Sequence, residues 1–134
     1  MTLLVVGTIF AVLAALIHVY IWALESLLWG RPSVMRTFGV ASAADAETLR
    51  SMAYNQGFYN LFLALGTFAG LVLAWSEPRT AGLVLTIFTC LCMALAALVL
   101  VTANARMARA ALVQGAAPLI AVVLLGIALS ERVG

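Results

Sequence analysis

Charged side chains are scarce in this sequence of 134 residues. Seven basic and five acidic residues make up 9% of the chain, while hydrophobic residues make up 66%. A soluble domain carries about 25% charged residues, so this composition excludes a protein that faces water on all sides. The length allows one domain. We therefore predict an integral membrane protein in which residues 1–134 form a single transmembrane domain.

Cysteine and histidine are also scarce, which argues against several kinds of site. Cys90 and Cys92 are two residues apart, about 200° around a helix axis, so the pair suits neither a disulfide nor a shared metal ion. His18 is the only histidine, and paired metal ligands are missing. The sequence therefore predicts no metal site, and no cofactor is expected.

Four long apolar runs are present, and each is long enough to cross a bilayer, which takes about 20 helical residues. The runs are continuous rather than alternating, which favours helices over barrel strands. A capping box at Ser42 starts the second helix early, so the predicted helices are about 3–29, 43–75, 80–103 and 109–130. The first is too long for a signal peptide and has no basic start, so we expect it to be retained. Short later loops indicate antiparallel neighbours. The predicted fold class is all-α: an integral membrane four-helix bundle with antiparallel up-down topology.

One stripe of the first helix is polar and aromatic. In "HVYIWALESLLW", His18, Trp22, Glu25 and Trp29 are spaced 4, 3 and 4 residues apart and share a face. An ionisable side chain inside a transmembrane segment usually marks a functional site. An imidazole and a carboxylate two turns apart can hold or pass a proton near neutral pH. His18 and Glu25 are therefore the candidate catalytic pair.

The second helix carries hydrogen-bonding side chains in "AYNQGFYNLF". They lie at the same membrane depth as the polar stripe of the first helix. The other end of this helix carries small residues, and Gly66 and Gly70 have the spacing that allows close helix packing. Antiparallel packing then predicts a bundle closed at one end and splayed around a polar pocket at the other. The candidate ligand-binding residues are Trp22, Asn55, Gln56, Tyr59, Asn60, Asn104 and Gln114.

A simpler interpretation stays open for each of these residues. The alternative for His18 is a hydrogen bond that joins it to a neighbouring helix. Glu25 is explained by pairing with an arginine at the membrane interface. Trp29 and Trp75 lie near the ends of spans and fit an interfacial aromatic belt. The clustering of several amides opposite Glu25 favours a pocket, because holding helices together needs only one or two of them.

Arginine is distributed unevenly between the two ends of the bundle. We call the end that holds the 30–49 connection side A and the opposite end side B. Side A carries five arginines and side B carries two, which favours a cytoplasmic side A. The expected location is a bacterial-type inner (plasma) membrane, crossed several times, with both termini outside and the pocket toward the cytoplasm. The side-A arginines are dispersed, so nucleic-acid binding is disfavoured.

Several of these residues resemble the motifs of a known family. His18, the run Glu25-Ser-Leu-Leu-Trp29, Phe38-Gly39 and "NQGFYNLFLA" (55–64) resemble the small bacterial and fungal membrane-protein family catalogued as domain of unknown function 1304. The resemblance covers nearly the whole chain. It implies a four-helix membrane protein whose signature residues are those of the pocket, and it implies no particular activity.

Three functions fit such a pocket. The preferred one is binding of a small organic molecule, with proton-coupled transport in which Glu25 alternates between proton and substrate and a homodimer forms the path. The second is a membrane-embedded acid/base enzyme, isomerase-like, acting on a lipophilic small molecule, so whether the chain is an enzyme is left open. The third is a structural or partner-binding subunit in which the polar cluster joins the helices. The expected partners are the lipid bilayer, a small organic ligand and a second copy of the chain.

Overall fold

Helices follow the apolar runs of the sequence, and the polar breaks form their connections. The computed structural model describes residues 1–133. Within that range the elements are α1 (Thr2–Trp22), a π-helical turn (Ala23–Leu27), α2 (Pro32–Phe38), α3 (Ala43–Ala74), α4 (Arg79–Ala103), a 3-10 turn (Ala105–Met107) and α5 (Ala108–Val133). Since no strand occurs among the described residues, the predicted all-α class is confirmed.

Four of these helical segments are long and apolar enough to cross a membrane. Over the described part of the chain they are Thr2–Leu27, Ala43–Ala74, Arg79–Ala103 and Ala105–Glu131. α1 packs against α3 and α5, and α4 packs against the same two helices. The four helices therefore form a closed ring in which each runs antiparallel to its neighbours, as the up-down prediction required.

Small residues bring the helices into close contact at side B, where α1 begins and α3 ends. A Cβ atom added at Gly82 of α4 would lie against the backbone of Ala74 and 2.6 Å from the carbonyl oxygen of Gly70. A Cβ atom at Gly7 would lie 2.6 Å from the side chain of Leu125. The main apolar core fills this half of the bundle and consists of Ala11, Leu71, Ala74, Leu83, Cys90, Ala121 and Leu125.

The α3 helix is longer than the hydrocarbon core of a membrane is thick. Its 32 residues span about 48 Å, whereas the hydrocarbon core is about 30 Å thick. The predicted cap is present, because the Ser42 hydroxyl accepts a hydrogen bond of 3.1 Å from the backbone N–H of Asp45. Trp29 packs on Phe38 of α2 and donates from Nε1 to the carbonyl of Ala46 at 2.8 Å. These contacts tie the long connection to the projecting end of α3.

The end of the first span differs from the uninterrupted helix predicted over 3–29. α-Helical hydrogen bonding stops at Trp22 and a π-helical turn follows from Ala23 to Leu27. The N–H of Leu28 donates to the carbonyl of Ala23, five residues back, at 2.9 Å. Wider turns of this kind arise where an extra residue is accommodated in a helix, and they often occur at functional sites. Glu25 lies in the middle of this turn.

Candidate functional site

The π-helical turn presents two consecutive residues to α3. Glu25 accepts a hydrogen bond from Asn60, and the hydroxyl of Ser26 donates to the carbonyl of Tyr54 at 3.0 Å. Gly57 lies between these contacts, and a Cβ atom there would meet Ser26 Oγ and lie 3.1 Å from the Cβ of Glu25. Only glycine therefore allows this approach of the π-helical turn to α3.

The carboxylate of Glu25 is nearly buried and has one hydrogen-bond donor. The side chain is 8% exposed, and its Oε2 accepts from Asn60 Nδ2 at 2.9 Å. Asn60 also donates to the carbonyl of Gln56 in its own helix at 3.2 Å, which fixes the direction of the amide. Glu25 Oε1 makes no hydrogen bond to any of residues 1–133.

Glu25 lines a cavity of about 340 Å³ between the first span and α3 on side A. We call it the α1–α3 cavity, and its walls are Glu25, Ser26, Trp29, Arg50, Ser51 and Tyr54. The Arg50 guanidinium forms a salt bridge with Glu47 through Nε at 2.8 Å. In the described part of the chain no salt bridge joins Arg50 to Glu25. The cavity therefore has a carboxylate and a guanidinium on separate walls, with two aromatic rings beside them.

His18 lies outside this cavity. It is 1% exposed, and its Nδ1 is 2.9 Å from the carbonyl oxygen of Ala14 one turn earlier. Since a carbonyl only accepts hydrogen bonds, Nδ1 carries the hydrogen. Across residues 1–133 no hydrogen bond joins His18 to Glu25. The two members of the predicted catalytic pair are therefore not joined by a direct hydrogen bond in this part of the chain.

The predicted ligand-binding residues are dispersed, and only Asn60 bonds to a residue of the cavity wall. Trp22 packs edge-on against Phe58, with ring centroids 6.1 Å apart. Its Nε1 is buried without a partner among the residues that the structure describes. The remaining five do not line the cavity: Asn55, Gln56 and Tyr59 lie exposed on the outer face of α3, Asn104 is exposed and caps the 3-10 turn, and Gln114 is half-buried in α5.

Five cavity residues were missed at the sequence level: Ser26, Trp29, Arg50, Ser51 and Tyr54. Trp29 belongs to the predicted polar stripe of the first helix, but the prediction assigns it to the interfacial belt. A signal for two of them exists, because Arg50 and Tyr54 are spaced 4 residues apart and Gly57 follows 3 residues later, all on one helical face. Ser26 and Ser51 give no comparable signal.

Metal binding has no support in this arrangement. Over the described residues no group of three or more His, Cys, Asp or Glu side chains is placed to hold a metal ion. Cys90 is buried and Cys92 is partly buried, and both are free thiols. The residues of the cavity wall offer charge pairing, hydrogen bonding and aromatic contact.

The comparisons with known proteins point to one family. The model of the family described as "Protein of unknown function (DUF1304)" matches residues 12–126, which is most of the chain and includes every residue of the cavity wall. No curated protein and no solved structure matches.

Proposed function

The chain belongs to the DUF1304 family, and we propose that it binds a small organic molecule with a positively charged group in the α1–α3 cavity. One observation carries this proposal. Glu25 is an almost buried carboxylate inside a membrane span, with a single side-chain donor and a cavity in front of it. Placing a carboxylate there costs free energy, and such residues by default mark ligand or proton sites.

The size and walls of the cavity support this ligand class. It is a partly open groove of about 340 Å³, at the lower end of the volumes of small-molecule pockets, about 300–1,000 Å³. Trp29 and Tyr54 provide aromatic surfaces that attract cations. A cationic group beside Glu25 gains both the carboxylate and a ring face, whereas an anion at the same position would be repelled.

Binding is better supported than acid/base catalysis. The enzyme hypothesis needs His18 and Glu25 to act on one substrate, but His18 lies outside the cavity and its Nδ1 bonds to Ala14. Proton-coupled transport needs a path to side B, where the helices pack backbone against backbone at Gly82 and Gly70. Transport therefore requires helices to separate, or a second copy of the chain to complete a path, and we retain it as an extension of binding.

We also propose an orientation for the protein. Side A holds the cavity and five of the arginines, which favours a cytoplasmic side A in a bacterial-type inner membrane. Both ends of the chain then lie outside. Alkaline phosphatase fused to the C-terminus is expected to be active, because the enzyme folds only outside the cytoplasm. An inactive fusion at normal expression would reverse the orientation.

Binding is tested with soluble probes on the purified protein in a maltoside detergent. Calorimetric titration compares benzylamine, which is cationic, with benzyl alcohol, which has the same ring and no charge. We expect benzylamine to bind more tightly. Glu25→Gln should weaken it by about 10- to 100-fold, because a hydrogen bond to a charged group contributes about 1.5–3 kcal/mol.

The matched control is Glu131→Gln, since Glu131 is exposed near the side-B end of α5 and lies outside the cavity wall. It should change the benzylamine affinity less than threefold. Equal affinity of folded wild type and folded Glu25→Gln for benzylamine would refute the proposal. So would an affinity for benzyl alcohol that matches that for benzylamine.

A further inference from the structure

We infer that the ligand of the α1–α3 cavity is a lipophilic primary amine, a molecule with one ammonium group, one apolar tail and no anionic group. Its ammonium lies beside Glu25, and its tail runs from there toward the bilayer centre over aromatic rings of α3. The inference rests on the proposed function and names the ligand class of the same cavity. Three observations support it: the unpaired charge in the cavity, the acceptors on its walls, and the direction in which its lining becomes apolar.

Glu25 carries the charge of the cavity wall that has no charged partner in the described chain. The other charged residue of the wall is Arg50, and its guanidinium forms a salt bridge with Glu47 at 2.8 Å. Across residues 1–133 no salt bridge reaches Glu25, whose side-chain donor is the neutral amide of Asn60. A ligand with a single positive charge therefore neutralises the cavity and needs no anionic group of its own.

The cavity walls accept hydrogen bonds, which suits a primary ammonium. The hydroxyl of Ser26 donates to the carbonyl of Tyr54 at 3.0 Å, and its oxygen keeps the capacity to accept. Ser51 contributes a second hydroxyl to the wall. Together with the Glu25 carboxylate, these oxygens match a group that has three N–H donors, as a lysine ammonium has. A quaternary ammonium has no N–H and gains the charge alone.

The carboxylate lies near the boundary of the hydrocarbon. Glu25 packs against Gly57, and Trp75 is the residue that follows α3 at side B. The 18 residues from Gly57 to Trp75 correspond to about 27 Å of helix, close to the hydrocarbon thickness of about 30 Å. An ammonium beside Glu25 is therefore placed where the charged groups of amphiphiles lie, and a tail that points toward side B enters hydrocarbon.

The surface of α3 changes from polar to aromatic in the direction of the bilayer centre. Arg50 and Ser51 form the part of the cavity wall nearest side A. Tyr54 follows one turn later and packs on Phe58 at 5.0 Å between ring centroids, and Phe58 packs on Phe62 at 6.1 Å. α3 thus offers an apolar tail a continuous aromatic surface toward side B, and charged or hydroxyl groups toward side A.

The row of rings follows the contact between the first span and α3. Phe58 also packs edge-on against Trp22 of the first span, at 6.1 Å between centroids. Phe62 is 58% exposed and lies five residues beyond Gly57, about 7.5 Å along the helix. A butyl tail on an ammonium at Glu25 is too short to reach the Phe62 ring, whereas an octyl tail is long enough. Phe62 therefore tests the direction of the tail.

The ligand class is tested by calorimetric titration of the purified protein in a maltoside detergent, with butylamine, octylamine and octanol as separate probes. We expect octylamine to bind at least about tenfold more tightly than butylamine, because its tail adds apolar contact. It should also bind at least about tenfold more tightly than octanol, which has the same tail and no charge. Phe62→Ala should weaken octylamine binding by about threefold to tenfold and leave butylamine within twofold.

The matched control is Phe88→Ala, since Phe88 is 61% exposed on α4 and does not line the cavity. It should leave both amines within twofold. All variants are measured at one detergent concentration, so that partitioning of octylamine into micelles affects them equally. Octyltrimethylammonium, which has the charge and the tail but no N–H, should bind less tightly than octylamine.

The outcomes separate this inference from the proposed function. If octylamine and butylamine bind equally and both depend on Glu25, the cavity binds cations without the row of rings, and only the lipophilic class is wrong. If Phe62→Ala and Phe88→Ala weaken octylamine equally, the direction of the tail is wrong. Equal binding of octyltrimethylammonium and octylamine contradicts a primary amine. If benzylamine also fails to bind wild type, both proposals fall. Should Phe62→Ala not fold, the four probes on wild type decide.

Discussion

The side-chain amide of Asn60 donates a hydrogen bond of 2.9 Å to the carboxylate of Glu25, across 35 positions of sequence. The bond joins the π-helical end of the first span to the middle of α3, and the second carboxylate oxygen has no hydrogen-bond partner among residues 1–133. Gly57 makes it possible, because only a residue without a side chain lets the two backbones approach at this level. The site is thus built by helix packing rather than by a loop.

Removing the amide should weaken the bundle measurably. We expect Asn60→Ala to lower the free energy of unfolding by about 1 kcal/mol, because interhelical hydrogen bonds in membranes contribute about 0.6 kcal/mol on average and up to about 1.7. Reversible unfolding in mixed micelles with increasing SDS measures this. Asn55→Ala is the matched control, since Asn55 is exposed on the same helix. Equal losses for the two variants would mean that the bond to Glu25 contributes nothing.

The close packing of the π-helical turn on α3 at Gly57 should not allow a methyl side chain at this position. In Gly57→Ala the new Cβ meets Ser26 Oγ and lies 3.2 Å from the Ser26 backbone nitrogen, so the π-helical turn must move away from α3. Overpacking of this kind destabilises by about 1–3 kcal/mol, and benzylamine binding should fall with it. Gly126→Ala in α5 has nothing within 4 Å of the new Cβ and should be neutral or stabilising by up to about 1 kcal/mol.

The same titrations and unfolding curves measure both glycine variants. If Gly57→Ala is as stable as Gly126→Ala and binds benzylamine normally, the π-helical turn does not pack on Gly57 as closely as described. The comparison is informative because the two substitutions add the same atom to a helical glycine, and they differ only in what surrounds it.

Much of the bundle was predictable from the sequence, because a lipid environment allows few backbone structures. Apolar runs in a membrane must become helices, and short loops make neighbours antiparallel. Glu25 and Asn60 were both identified as site residues, since residues this polar are unusual at that depth. Their hydrogen bond also follows the predicted antiparallel packing of the two polar halves.

The details of the site were less predictable, for identifiable reasons. The stretch 23–27 reads "ALESL" and contains no proline or glycine to announce a change of helix type. The rotation of α3 decides which polar residues face the cavity, and it turns Tyr59 outward, where it is 63% exposed. That rotation depends on how α3 packs on its neighbours at Gly57 and Gly70. The residue pattern of one helix does not reveal this packing.

Trp29 should hold the projecting start of α3 in place. Its indole donates to the carbonyl of Ala46 while its ring packs on Phe38, so Trp29→Phe keeps the aromatic contact and removes a hydrogen bond of about 1 kcal/mol. We expect faster amide hydrogen exchange over 43–50, by about fivefold. Trp75→Phe is the matched control at side B, where the indole donates to Thr8 at 3.1 Å. Its effect should be confined to that end, and faster exchange over 43–50 in both variants would contradict a local cause.

Substitution of His18 distinguishes the binding hypothesis from the catalytic hypothesis. The ring is buried and its Nδ1 bonds to the carbonyl of Ala14, which as a helical carbonyl also accepts the backbone N–H of residue 18. His18→Leu therefore leaves that carbonyl with a partner and replaces the ring with an apolar side chain of similar size. The expected change in unfolding free energy is within about 1.5 kcal/mol, and the affinity for benzylamine should stay within twofold, whereas Glu25→Gln loses at least about tenfold. If folded His18→Leu loses binding as Glu25→Gln does, the imidazole acts on the cavity, and the acid/base enzyme becomes the better description of the site.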